Sequence, residues 1–282
     1  MKHIRTDRLA QKNLPQSAPR ESRFYKPIVP KNRPRKFLWL VSLAGFLACW
    51  QFAVWAFHLP SYLVPAPSAL IQVIFHDGRL LGHHLIATLE EALAGLGLAI
   101  AIGLGIATLM NTSRILRELL YPHMVLAQAI PLIAVAPIVL IWFGMGMLAK
   151  VLIVAFVCFF PITVNIYEGF QMVNRDFVDL LLTFGASRWQ RYRHLYIPAT
   201  LPSMFTGVKI AATYSVLGAV VGEWLGGISG IGIYMTRALQ SFRTDKLFAA
   251  ILVIMVISVL VFKSFDWLGN KLTPWIERRS DV

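Results

Sequence analysis

Four glutamates lie inside or near the ends of long apolar stretches of this 282-residue sequence: Glu90, Glu91, Glu168 and Glu223. A carboxylate at membrane depth is costly and usually faces protein or a water-filled path. These residues are therefore candidates for lining or gating a route for a polar solute. We predict that Glu168 and Glu223 belong to that route. The alternative is that each carboxylate simply reaches the polar interface at the end of its helix.

Further polar and helix-breaking residues extend this candidate path. Pro131 and Pro137 interrupt one apolar stretch, and prolines in spans free backbone carbonyls that neighbours or a ligand can use. Gln128 precedes Pro131 by one turn, while Asn165 and Tyr214 lie in the middle of neighbouring stretches. These residues are consistent with a polar lining, and a packing kink is the alternative explanation for the two prolines.

The sequence contains no string typical of nucleotide, protease or metal chemistry. The phosphate-binding pattern G-x-x-x-x-G-K-[ST], the serine pattern G-x-S-x-G and the zinc pattern H-E-x-x-H are all absent. Cys49 and Cys158 lie in apolar runs, where free cysteine behaves as a small hydrophobic residue. We therefore predict no catalytic residue and no metal site.

The elements that must position these residues are membrane-spanning helices. The chain is 57% hydrophobic and only 15% charged, which indicates an integral membrane protein. A span needs about 20 mainly apolar residues. An all-α fold with six transmembrane helices over residues 37–268 is predicted, with spans at roughly Phe37–Phe57, Leu85–Met110, Leu119–Phe143, Val151–Met172, Ser203–Leu225 and Leu247–Trp267.

The distribution of basic residues predicts the orientation of these spans. Eleven of the 27 Lys and Arg residues precede Phe37, and the other predicted inner segments carry most of the remainder. Because cytoplasmic loops carry the excess of Lys and Arg, both termini are expected in the cytoplasm. Residues 1–36 are then a basic, disordered tail and residues 269–282 a second cytoplasmic tail. The net charge of +13 thus reflects membrane topology, and no nucleic-acid partner is expected.

Two spans carry small residues at every fourth position. The stripes are Gly95, Ala99, Gly103 and Ala107 in the second span, and Gly207, Ala211, Ser215 and Ala219 in the fifth. Small residues on one face let helix backbones approach closely in lipid. The stripes predict close packing within a bundle.

The segment "NRDFVDLLLTFGASRWQRYRHLYIPATLP" between the fourth and fifth spans predicts two short helices joined by a turn. Residues 176–184 form the first helix, and Gly185 follows where a left-handed cap is usual. Ser187 and Gln190 then form a capping box at the start of the second. The apolar face of this element either lies in the headgroup layer or enters a groove on a separate protein.

The spacing in this segment resembles the signature loop of bacterial ATP-binding-cassette importer permeases. That loop reads E-A-A, three residues, G, nine residues, I-x-L-P. Here Asp179, Leu180 and Leu181 are followed after three residues by Gly185, and after nine more by "LYIP", which ends at Pro198. The spacing agrees throughout. The departures are Asp for Glu, two Leu for the two Ala, and an exchange of Leu and Ile.

Other segments extend the resemblance over roughly residues 58–270. The strings "LPSYLVPAPSALI", "FFPITVNIYEGF" and "TGVKIAATYSVLGAVVGEWLGGISGIGIYM" are similar to the nitrate, sulfonate and taurine branch of these permeases. Within that branch, "QAIP", "TYSVLGAVVGEWLGG" and the late "PW" are most similar to permeases for the pyrimidine precursor of thiamine.

This resemblance implies a type I importer permease fold whose inner loop is a coupling helix that docks on an ATPase subunit. The residues it assigns to that contact are Asp179, Leu180, Leu181, Gly185, Ala186, Ser187 and Arg188, with Pro198 ending the element. The chain is then not an enzyme and binds no cofactor, while ATP and Mg belong to the partner ATPase dimer. An extracytoplasmic solute-binding protein, a second permease copy and membrane lipid are the other implied partners.

Several alternatives remain open from the sequence. Within the same family the solute is the thiamine pyrimidine precursor, a sulfonate, taurine or nitrate. A channel or ion-driven carrier also has several spans, but it gives no reason for the inner loop. An intramembrane enzyme would require the strings that are absent.

Overall fold

The computed structural model describes residues 36–277, and every regular element in that range is a helix. The predicted tail over residues 1–36 lies almost wholly outside the described part. The helices are α1 (Lys36–Ala56), α2 (Pro67–His76), α3 (Gly78–Thr112), α4 (Arg114–Ala127), α5 (Leu132–Phe143), α6 (Met147–Gln171), α7 (Arg175–Thr183), α8 (Arg188–Arg191), a π-helical turn (Tyr192–Tyr196), α9 (Ile197–Gly226), α10 (Ile231–Gln240), α11 (Thr244–Leu272) and α12 (Pro274–Glu277).

Four helices within residues 36–277 are long and apolar enough to cross a membrane, and a bent pair raises the number to five. The four are α3, α6, α11 and the continuous helix Arg188–Gly226, which includes α9. The first predicted span corresponds to α1, whose apolar part Leu40–Ala56 is short for a helix that crosses a membrane. The sixth predicted span continues to Leu272, four residues beyond the predicted end of the membrane domain.

The third predicted span is not one helix. It consists of α4 and α5, which are bent by 106° at the break between them, so the interruption expected at Pro131 is present and is far larger than a packing kink. The break contains Pro131, whose backbone is extended with φ −63° and ψ 125°. A proline lacks the N–H that a helix interior requires, and it disfavours helical geometry in the residue before it. Pro131 therefore favours an end of α4 before this point.

The core is formed by α6, which packs between α3 and α9. A Cβ added at Gly103 would lie 2.9 Å from Thr163 Oγ1, and one added at Gly207 would lie 2.9 Å from the carbonyl oxygen of Pro161. Both predicted stripes of small residues are buried at these interfaces. The prediction of close packing is confirmed, and α6 is the helix that both stripes approach.

The inner segment runs into the fifth span without a break. After α8 the chain makes the π-helical turn and continues directly as α9, with Pro198 at its second residue. The expectation that Pro198 ends the element was therefore wrong, and the helix that contains the predicted span Ser203–Leu225 begins before Ser203. Proline is tolerated there because it lies in the first turn of α9, where the preceding π turn already departs from the i→i−4 hydrogen-bond pattern.

Candidate functional site

The inner elbow, residues 174–191, is a helix, a glycine turn and a second helix start. Asn174 caps α7 by accepting a hydrogen bond from the backbone N–H of Asp176 at 2.9 Å. At the other end Gly185 has φ +73°, its N–H donates to the Leu182 carbonyl, and the Ala186 N–H donates to the Leu181 carbonyl. These two bonds form a Schellman motif, which glycine permits because it lacks a Cβ. The predicted left-handed turn is confirmed.

The second half of the inner elbow starts with the predicted capping box. The Ser187 hydroxyl accepts from the Gln190 N–H at 3.3 Å, and the Gln190 side chain accepts from the Ser187 N–H at 2.7 Å. Arg188 follows as the first residue of α8, and its side chain is exposed. The turn is therefore fixed by local hydrogen bonds on both sides.

The inner elbow presents a row of exposed apolar side chains. Leu180 is 51% exposed, Phe184 78% and Trp189 67%, and Asp179 lies among them. Leu181 and Ala186 are partly covered. Exposed apolar side chains grouped in this way are typical of a contact with another protein or with lipid. Of the residues assigned to ATPase contact by the resemblance, Asp179, Leu180, Gly185, Ser187 and Arg188 are exposed.

Two of the predicted path residues converge on one intramembrane recess. Gln128 at the end of α4 and Tyr214 in the middle of α9 both line a recess of about 260 Å³ beside α6. Pro131 lies at the N-terminal boundary of α5, and its neighbours Ile130 and Leu132 line the recess. Phe156 and Phe160 of α6 are among the other lining residues. Sequence reasoning missed these two rings, although their spacing of four residues places them on one helix face.

The remaining path candidates lie elsewhere. The Asn165 amide donates to the Pro161 carbonyl of its own helix at 2.8 Å, and Pro137 lies within α5. Glu168 is exposed near the inner end of α6, where its carboxylate accepts from the Tyr121 hydroxyl at 3.4 Å. These three residues do not share the recess with Gln128 and Tyr214.

Glu223 is fully buried and holds the turn between α9 and α10. Its Oε1 accepts from the Thr88 hydroxyl at 2.7 Å, and its Oε2 accepts from the Gly232 N–H at 2.6 Å. The Thr88 oxygen in turn accepts from the Ile231 N–H at 2.9 Å, and His84 Nδ1 accepts from the Gly230 N–H at 3.0 Å. A carboxylate at the start of α10 complements the free N–H groups there. The observed contacts therefore give Glu223 an anchoring role between α3, α9 and α10.

A second buried charged group adjoins this network. Lys150, in the first turn of α6, forms an ion pair with Glu91 of α3 at 2.5 Å. The pairing joins residues 59 positions apart on two helices, so no local pattern indicates it.

Asp77, which precedes α3, contacts two other helices. Its carboxylate accepts from the Tyr234 hydroxyl at 2.9 Å and lies 2.7 Å from the Lys246 ammonium. The hydrogen bond from Lys246, assisted by one from His76, holds the Asp77 pKa well below its usual range. Burial, with the neighbouring Asp77 carboxylate, raises the pKa of the Tyr234 hydroxyl. These contacts connect the start of α3 with α10 and α11.

Comparison with known proteins identifies the class to which this helical bundle belongs. The sequence profile of the binding-protein-dependent transport system inner membrane component family matches residues 97–277. The chain belongs to this family, and it is an ATP-binding-cassette importer permease of the inner membrane. It is a permease component and not itself an enzyme, and its membership implies an ATPase and a solute-binding protein as partners.

Individual relatives support the branch indicated by the sequence. The chain is 38% identical over 219 residues to the formylaminopyrimidine transport permease protein ThiX of Halalkalibacterium halodurans, covering 77% of this chain and 88% of the relative. It is 32% identical to the riboflavin transport system permease protein RibX of Chloroflexus aurantiacus, covering 83% and 88%. It is 28% identical to a putative aliphatic sulfonates transport permease protein, SsuC, of Bacillus subtilis, covering 86% and 89%.

The fold is similar to that of solved importers. A chain from an inward-facing structure of the MetNI methionine ABC transporter aligns with a TM-score of 0.59 at 16% identity. The alignment covers 67% of this chain and 94% of that chain. The expected type I importer permease fold is confirmed.

Proposed function

We propose that this permease imports a small pyrimidine of the hydroxymethylpyrimidine type, a thiamine precursor. The observation that carries this proposal is the 38% identity to a formylaminopyrimidine permease, which extends over 88% of that relative. The more distant similarity to an aliphatic sulfonate permease makes sulfonate, taurine or nitrate the alternative solutes.

The proposed mechanism is alternating access driven by the inner elbow. Its apolar face, with Leu180, Phe184 and Trp189 exposed, suits the groove of a partner, and Arg188 adds a charge at the rim. ATP and Mg bound by the partner dimer bring its two halves together, and the rigid elbow passes this movement into α9, with which it is continuous. The two states of the bundle are then biased by ATP on one side and by a loaded binding protein on the other.

The proposal includes a second copy of this permease and a defined orientation. One bundle supplies one elbow, so a homodimer would present two elbows to an ATPase dimer. Cytoplasmic termini are supported by the eleven basic residues that precede Phe37. The chain itself is proposed to bind no cofactor and no metal.

Two experiments test the solute and the coupling separately. The first compares growth of a thiamine auxotroph on limiting pyrimidine precursor with and without this chain. Growth that depends on the chain is expected, whereas equal growth would remove the pyrimidine assignment.

The second experiment is co-purification of the detergent-solubilised permease with its ATPase. Arg188→Glu combined with Gly185→Pro reverses a rim charge and removes the left-handed turn, so loss of the ATPase is expected. Arg117→Glu, an inner-face charge on α4 outside the inner elbow, is the matched control and should retain it. Retention by the double variant would count against docking at the elbow.

A further inference from the structure

The recess beside the α4–α5 break has a lining that selects among the solutes considered above. It holds about 260 Å³, enough for one small ring compound, and it is bounded by Phe156, Phe160 and Tyr214. The rings of Phe156 and Phe160 are edge to face, with centroids 5.1 Å apart at an interplanar angle of 88°. The recess therefore combines aromatic side chains with a volume sufficient for one small ring.

The recess lies at membrane depth. Phe156 and Phe160 are near the middle of α6, and Tyr214 is near the middle of α9, both of which are long enough to cross the membrane. Polar groups at that depth are costly unless they find a partner. Gln128 nevertheless lines this recess and is exposed, and Tyr214 is 44% exposed. Within residues 36–277 no hydrogen bond of either side chain is observed, so both are available to a solute.

The chemistry of the lining defines the solute. A carboxamide offers a donor and an acceptor side by side, and it pairs in a bidentate manner with an amino group beside a ring nitrogen, as glutamine does with adenine. Aromatic side chains bind flat rings by stacking or edge contacts. Among the described residues that line the recess, none carries a charge. A sulfonate or nitrate would therefore be desolvated without a cation, which disfavours these anions at this site.

We propose that this recess is an intramembrane binding site for a flat, uncharged heteroaromatic ring with an amino group beside a ring nitrogen. Gln128 pairs with that edge of the ring, while Phe156, Phe160 and Tyr214 contact its faces. This inference rests on the proposed function, and it makes the membrane domain itself selective for an aminopyrimidine. The binding protein is then not the sole source of specificity.

Direct binding to the permease–ATPase complex in lipid nanodiscs, without the binding protein, tests this site. The probe is tritiated 4-amino-5-hydroxymethyl-2-methylpyrimidine, with the same ring lacking the amino group as the comparison. The wild-type complex should bind the amino compound about tenfold more tightly, as loss of one good hydrogen-bonded pair predicts. Gln128→Leu should remove this preference and leave weak binding of both compounds. Gln240→Leu, an exposed glutamine at the end of α10, is the matched control and should keep the preference.

A second pair of variants tests the ring faces. Tyr214→Phe keeps the ring and should retain most of the binding, whereas Tyr214→Leu should lose about tenfold. Equal binding of the two compounds by the wild-type complex, or an unchanged preference in Gln128→Leu, would overturn the recess proposal. The wild-type comparison requires no substitution, so a variant that fails to assemble does not prevent the test.

Uptake by proteoliposomes containing the complete transporter separates this inference from the proposed function. If the wild-type transporter imports the aminopyrimidine while Gln128→Leu shows unchanged binding and uptake, the proposal of a binding site in the recess is wrong and the proposed function stands. If the wild-type transporter imports taurine and not the aminopyrimidine, the proposed function fails and the recess proposal fails with it.

Discussion

The Lys150 ammonium lies 2.5 Å from Glu91 Oε1, and both side chains are about 5% exposed, so α3 and α6 are joined by an ion pair inside the bundle. The other oxygen of Glu91 is buried without a hydrogen-bond partner within the described residues. Lys150 therefore supplies nearly all of the interaction that offsets the cost of burying the Glu91 carboxylate.

Removal of one partner of this pair should be far more damaging than removal of both. Lys150→Met leaves a buried carboxylate without a cation and should lower the free energy of unfolding by about 3–5 kcal/mol. The double variant Lys150→Met with Glu91→Leu should regain most of that loss, because no isolated charge remains. Thermal unfolding in nanodiscs measures both. A double variant that is less stable than Lys150→Met would contradict this account of the pair.

The hydroxyl of Thr88 is predicted to hold the α9–α10 turn. Thr88→Ala leaves Glu223 Oε1 and the Ile231 N–H without their observed partner, which should cost about 1–3 kcal/mol. Thr88→Ser keeps the hydroxyl and is the matched control. The measurement is the unfolding midpoint of each variant together with proteolysis at the α9–α10 turn. Equal behaviour of the alanine and serine variants would show that the hydroxyl is dispensable.

Close approach of α6 and α9 should make Gly207 intolerant of a single methyl group. A Cβ at this position lies 2.8 Å from Asn165 Cβ and 2.9 Å from the Pro161 carbonyl oxygen, so Gly207→Ala should destabilise the bundle by about 1–3 kcal/mol. Gly105→Ala is the control, since nothing lies within 4 Å of its added Cβ. The same substitution there should be neutral or slightly stabilising through helix propensity. A Gly207→Ala protein as stable as Gly105→Ala would contradict the observed packing.

The depressed pKa of Asp77 predicts a pH-dependent contribution to stability. A carboxyl group whose pKa is lower in the folded state stabilises fully above its unfolded pKa of about 3.9 and loses that contribution as the pH falls further. The stability advantage of the wild type over Asp77→Asn should therefore be constant between pH 7 and pH 5 and smaller at pH 3. Unfolding midpoints of both proteins at the three pH values provide the test. An advantage that is the same at pH 3 as at pH 7 would contradict the role assigned to Lys246 and His76.

The inner elbow was predictable because its determinants are local. Gly185 and the Ser187–Gln190 pair act within six residues of one another, so sequence spacing alone indicates their geometry. The bend at Pro131 was foreseen only as a kink, since its size depends on how α4 and α5 pack on other helices. Lys150 and Glu91 could not be paired from the sequence, because their contact exists only once α3 and α6 lie side by side. The π-helical turn that carries the elbow into α9 likewise has no local signature.

The most direct test of the coupling mechanism is photo-cross-linking from the inner elbow in intact membranes. A photoreactive amino acid in place of Trp189, which is 67% exposed, should form an adduct with the ATPase subunit, and the yield should change when ATP is added. Phe75 is an exposed residue of α2, which precedes α3 in the chain. The same group in place of Phe75 should form no such adduct. Labelling of lipid alone from position 189, with or without ATP, would contradict the claim that the inner elbow transmits the nucleotide cycle to the bundle.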